Sequence, residues 1–85
     1  MTWEDRSGRI DHAAPLLLWS QVAGDMRADI VSGRLASGVR VPSELALAEI
    51  YGVARVTVHR AIAELVSENL LTVVRGRGTF VALSS

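Results

Sequence analysis

From Leu16 onward the apolar residues Trp19, Val22, Ala23, Met26, Ile30 and Val31 recur at three- and four-residue steps, while Asp25, Arg27, Asp29 and Arg34 fall mostly between them. That spacing predicts an amphipathic helix. It closes near Ser32-Gly33, because glycine readily takes the left-handed conformation that ends a helix. Before it, residues 1–14 mix charges around Gly8 without apolar periodicity and predict a flexible N-terminal arm, ended by Pro15 at the helix start. After it, Gly38 marks a turn, Val39 to Val41 alternate as a very short strand does, and Pro42 biases Val41 toward an extended backbone. Ser43 is placed to cap a second helix, with Glu44 in its first turn near the positive end of the helix dipole. Leu45, Leu47, Ala48 and Ile50 give that helix its apolar content, and Gly52 stops it.

The third helix is predicted from Ala54 or Arg55 to about Asn69. Val58, Ile62 and Leu65, with Ala61 and Val66 alongside, form its buried stripe. Arg55, Val56, His59, Arg60 and Ala63 occupy the other side, so its exposed edge is basic at the N-terminal end, the part of a major-groove helix that usually reads bases. Leu70 to Arg75 and Thr79 to Leu83 read as strands joined around Gly76-Arg77-Gly78, a glycine-containing hairpin. The order is helix, small strand, helix, turn, helix, hairpin. It predicts a mainly α fold with a small β-hairpin, a winged helix-turn-helix over residues 15–83.

At 85 residues the chain has room for one small core and one domain. With 49% hydrophobic and 21% charged residues, it has enough apolar material to fold alone. It has no cysteine, which excludes disulfides and thiolate metal sites and fits a reducing compartment. The uncharged run from Ala13 to Ala23 is too short to cross a bilayer, and no basic-then-apolar secretion signal begins the chain. A cytoplasmic location without membrane contact is expected.

The formal net charge is zero, unlike that of most nucleic-acid binders. Its distribution says more: residues 1–52 hold five arginines against seven acids, and residues 53–85 hold four arginines against two. Positive charge gathers on the third helix and the hairpin. Every basic residue is arginine, which suits bidentate contacts to phosphate or guanine and equally suits a genome rich in guanine and cytosine.

Several residues are candidates for DNA contact. Arg55 can grip O6 and N7 of a guanine, or be a solvated arginine or a partner for Glu49. Thr57 can donate to a phosphate or bond to local backbone. Val56 can meet a thymine methyl or pack under the turn. His59 and Arg60, one turn on, can reach bases or flanking backbone, and a His59 on phosphate strengthens binding as pH falls toward 6. Ser43 caps its helix while leaving backbone N–H groups where a phosphate can dock. Arg75 and Arg77 flank Gly76 at the hairpin tip, suited to the minor groove or to phosphates, with Thr79 beside them. Trp19 is expected in the core and Trp3 exposed on the arm. His12 matches no metal pattern, so no metal or cofactor is expected.

The segments Leu18-Trp-Ser-Gln-Val, Gly33-Arg-Leu-Ala-Ser-Gly-Val-Arg-Val-Pro-Ser-Glu, Leu47-Ala, Gly52-Val-Ala-Arg-Val-Thr-Val-His-Arg-Ala-Ile, Leu65 and Gly76-Arg-Gly-Thr-Phe-Val resemble the DNA-binding half of the GntR family of bacterial transcription regulators. The resemblance covers roughly Leu16 to Ala82. It implies a third helix in the major groove, a wing tip at the minor groove and two copies on a partly palindromic operator, with homodimerisation in solution or only on DNA. Three positions depart from the family pattern. Leu45 stands where an arginine that touches DNA is usual, Ala54 where a serine or threonine caps the recognition helix, at a cost of about 1 kcal/mol, and His59 where arginine is frequent. The family usually adds a C-terminal effector-binding domain; this chain stops shortly after the wing and offers no effector pocket, as a fragment of a longer regulator or a short stand-alone member would.

The expected function is sequence-specific DNA binding in transcription regulation, as a repressor acting by steric blocking. The alternative is a winged-helix module that binds protein or RNA without specific DNA binding. An enzyme is not expected: no paired carboxylates, nucleophile-base pair or metal constellation is present, and Gly76 and Gly78 lie in a hairpin rather than before a helix.

Overall fold

The computed structural model describes residues 3–14 and 16–83. Three helices, α1 (Leu18–Val31), α2 (Glu44–Tyr51) and α3 (Arg55–Ser67), are followed by the hairpin strands β1 (Leu71–Val74) and β2 (Gly78–Val81). The first helix begins after Leu17, whose side chain makes no capping bond. Pro15, expected to open it, lies outside the described residues. Its end is as expected, with Gly33 at φ +84°. α2 is closed at both ends by the residues the sequence offers: Ser43 Oγ accepts from the Ala46 amide at 3.1 Å, and Gly52 turns left-handed at φ +66°. α3 has no side-chain cap at Ala54 and stops two residues earlier than expected, where Asn69 takes φ +62°.

The helices enclose one core. Val22 and Met26 of α1, Leu47 and Tyr51 of α2, and Val58, Ala61, Ile62 and Leu65 of α3 are buried together with Leu35, Val41, Leu71 and Val81. Val66, expected beside the α3 stripe, is exposed instead. α1 and α3 are also tied at their far ends, where Arg27 Nε donates to Glu68 Oε1 at 2.7 Å.

β1 and β2 pair antiparallel from Leu71 with Val81 to Val74 with Gly78. Residues 38–41 add to the other edge of β2. The Val41 amide donates to Thr79 O at 2.9 Å, and the Val81 amide donates to Val39 O at 2.8 Å. The short alternating segment is thus a third strand in all but length, fastening the base of the wing to the loop before α2.

Three expectations fail. Trp19 is not in the core; it is half-buried, with the Arg60 guanidinium 4.7 Å from its ring centre. The first-helix stripe reaches full burial only from Val22, one turn later. Residues 3–14, expected as a flexible arm, lie packed on the body. Ile10 joins the core, and Arg6 is only 2% exposed. Trp3, expected exposed, is half-buried with its ring 4.3 Å from the Arg6 guanidinium carbon. The cause is long-range pairing, since Arg6 meets acids of α1 and a tyrosine of α2.

Candidate nucleic-acid interface

The turn after α2 sets what α3 displays. With Val58, Ala61, Ile62 and Leu65 turned inward, Arg55, Val56, His59 and Arg60 are exposed along its N-terminal half. Val56 is 73% exposed and therefore does not pack under the turn. Thr57 is half-buried, and among the described residues its hydroxyl makes no hydrogen bond. The amides at the α3 start are partly engaged within the helix, with Thr57 N donating to Ala54 O.

Glu44 joins α2 to this edge. Its Oε1 lies 3.4 Å from Arg55 Nε, and its Oε2 lies 2.6 Å from His59 Nδ1. Arg55 therefore pairs with Glu44, not with Glu49. Five residues separate those acids, which puts Glu49 well round the helix from Glu44. Beside this carboxylate sit the cap Ser43 and Leu45, which is 59% exposed where the family resemblance implies arginine. Arg60 is directed to α1, stacked on Trp19.

The second group of candidates is the wing. Arg75, Gly76 and Arg77 form the exposed connection between the strands, with the Arg77 amide donating to Val74 O at 3.0 Å and Gly76 at φ +76°. Thr79 is half-buried in β2, where its carbonyl accepts from Val41. Sequence reasoning missed Arg40. Its guanidinium lies over Gly78, so close that a Cβ there would stand 2.7 Å from Arg40 Nε. The one signal for it was the alternation Val39-Arg40-Val41, which leaves the middle residue outward.

Ion pairing changes the meaning of the zero net charge. Arg6, Arg9, Arg27, Arg34 and Arg55 pair with Asp25, Asp29, Glu68 or Glu44. Among the described residues Arg40, Arg75 and Arg77 form no ion pair. The acids thus pair with arginines of the helical body, Arg55 included, and the wing keeps uncompensated positive charge, the kind that attracts a polyanion.

The family described as bacterial regulatory proteins, gntR family, matches residues 18–81. The HTH-type transcriptional repressor NagR of Bacillus subtilis (strain 168) is 37% identical over 73 residues, which is 86% of this chain and 30% of NagR. Among solved structures, the DNA-binding domain of AraR in complex with operator ORE1 superposes with a TM-score of 0.72 at 39% identity, covering 75% of this chain and 78% of that one. YtrA from Sulfolobus acidocaldarius, a GntR-family transcription factor, gives 0.80 at 30% identity, covering 89% of this chain and 80% of YtrA. The chain thus spans about 30% of the length of the curated relative NagR.

Proposed function

Given that this chain belongs to the gntR family of bacterial regulatory proteins, we propose that it is a sequence-specific DNA-binding module of a transcription repressor, working by steric blocking of a promoter. The observation that carries this reading is the division of α3: four core residues face inward while Arg55, Val56, His59 and Arg60 line the outer edge of its first turns. That edge fits a major groove, with Arg55 on guanine and Val56 against a thymine methyl. Thr57, His59, Arg60 and the backbone amides after Ser43 supply phosphate or base contacts. The wing, with Arg75, Gly76, Arg77 and Thr79, lies at the minor groove, and Arg40 extends its basic surface. Superposition on the AraR domain in complex with operator supports the same arrangement.

Two copies pair on a partly palindromic site, and the module acts in the cytoplasm as a binder rather than a catalyst. The domain is assigned to residues 15–83, and residues 3–14 pack against it. Among the described residues no helix is long and apolar enough to cross a membrane. Selection of bound duplexes from a random pool tests the reading. Two related half-sites are expected; a pool with no enriched sequence returns the chain to the protein- or RNA-binding alternative.

A further inference from the structure

The turn between α2 and α3 is held from outside by the N-terminal segment. The Arg6 amide donates to Ile50 O at 2.6 Å, and His12 Nε2 donates to Gly52 O at 3.0 Å. Ile50 O belongs to the last turn of α2, among the carbonyls that a helix leaves without internal partners, and Gly52 O follows at its C-cap. Ser7 fills the space beside Gly52, its Cβ 3.0 Å from where a Gly52 Cβ would stand.

The Arg6 side chain enters the body beneath this turn. Its Nη1 donates to Asp25 Oδ2 at 2.8 Å and to Tyr51 Oη at 3.1 Å, and lies 2.8 Å from Asp29 Oδ2. Tyr51 Oη donates in turn to Asp25 Oδ2 at 2.6 Å. The guanidinium carbon lies 4.3 Å from the Trp3 ring centre and 5.9 Å from that of Tyr51. Two acids of α1 and the last residue of α2 thus converge on one cation from the N-terminal segment. A buried ion cluster adds little net stability, because desolvation offsets attraction, but it demands one geometry. That geometry fixes Tyr51, and Arg55 begins α3 four residues later.

We propose that residues Arg6 to His12 form a strap across the helix-turn-helix, in which Arg6 and His12 are positioning residues for the DNA-reading helix. They fix the carbonyls and the tyrosine from which α3 departs. The inference rests on the DNA-binding reading only for its consequence at DNA, since the strap itself is visible without a ligand.

The test is amide hydrogen exchange at Gly52 to Val58, read together with affinity for a selected duplex, in the 85-residue chain carrying Arg6→Met, His12→Ala or His12→Gln. In Arg6→Met, exchange at the turn accelerates by at least about tenfold and duplex binding weakens about fivefold or more. His12→Ala shows the same changes at about two- to threefold, and His12→Gln, whose amide can still donate to Gly52 O, returns both toward the starting protein. Wild-type exchange at the turn in folded variants overturns the strap, as does loosened exchange with unchanged binding. If Arg6→Met does not fold, the two His12 variants decide. If the starting protein binds no duplex, the DNA-binding reading falls, while the exchange data still accept or reject the strap.

Discussion

The Glu44 carboxylate reaches from the first turn of α2 to His59 on α3, Oε2 to Nδ1 at 2.6 Å, while its other oxygen faces Arg55. An acid thus stands among the side chains proposed to meet DNA, restraining two of them and opposing a polyanion. Glu44→Gln removes the charge while keeping the shape. Affinity for a scrambled duplex is expected to rise by about three- to tenfold at low salt, and the ratio of selected to scrambled binding to fall. Fluorescence anisotropy with the two duplexes checks this; unchanged affinity for both would place Glu44 away from the DNA.

Arg55 and Arg77 have different proposed jobs. Arg55→Ala relaxes base preference at one position of each half-site, a loss of about 1–3 kcal/mol in discrimination. Arg77→Ala weakens all duplexes alike and reduces the salt slope by about one. Binding profiles over a duplex library separate the two, and the reverse pattern would show the assignments exchanged.

Both ends of α2 and the end of α1 are readable because single residues set them: Ser43, Gly52 and Gly33 act on their own backbone. The hairpin followed from Gly76 and Gly78 between β-branched runs. What stayed hidden was tertiary. Nothing near Arg6 in sequence announces Tyr51, 45 residues away, so mixed charge without periodicity looked like an arm. Trp19 sat on the correct stripe but one turn too early, where the core has thinned and Arg60 covers it. Arg55 met Glu44 rather than Glu49 because the turn geometry, invisible in the sequence, decides which face of α2 it passes.

The buried cluster makes stability acid-sensitive. Burial pushes the Asp25 carboxyl upward, but hydrogen bonds from Tyr51, Arg9 and Arg6 outweigh it and hold the group below the usual carboxylate value. The folded form therefore binds this proton more weakly than the unfolded chain. The stabilisation is complete above about pH 4 and is lost as pH falls through the lowered value. The thermal midpoint should therefore hold down to about pH 4 and fall as pH is lowered further. Asp25→Asn should be less stable at pH 7 yet show a shallower drop; equal slopes would contradict the assignment.

Gly78 and Gly76 both have positive φ, but not the same surroundings. A side chain at Gly76 meets nothing within 4 Å, whereas at Gly78, with φ +125°, it meets the Arg40 guanidinium. Gly76→Ala is expected to cost about 1 kcal/mol and Gly78→Ala about 1–3 kcal/mol. Chemical denaturation gives both values, and equal costs would argue against the close Arg40 approach.

This small, formally neutral domain is proposed to grip duplex DNA through Arg55 on the third helix and through Arg40, Arg75 and Arg77, which its own acids leave unpaired. Duplex affinity measured against salt concentration tests it most directly. With about five phosphate contacts, a log-log plot of the association constant against salt should fall with a slope of about −4 to −5. A slope near zero, or no duplex binding at low salt, would contradict it.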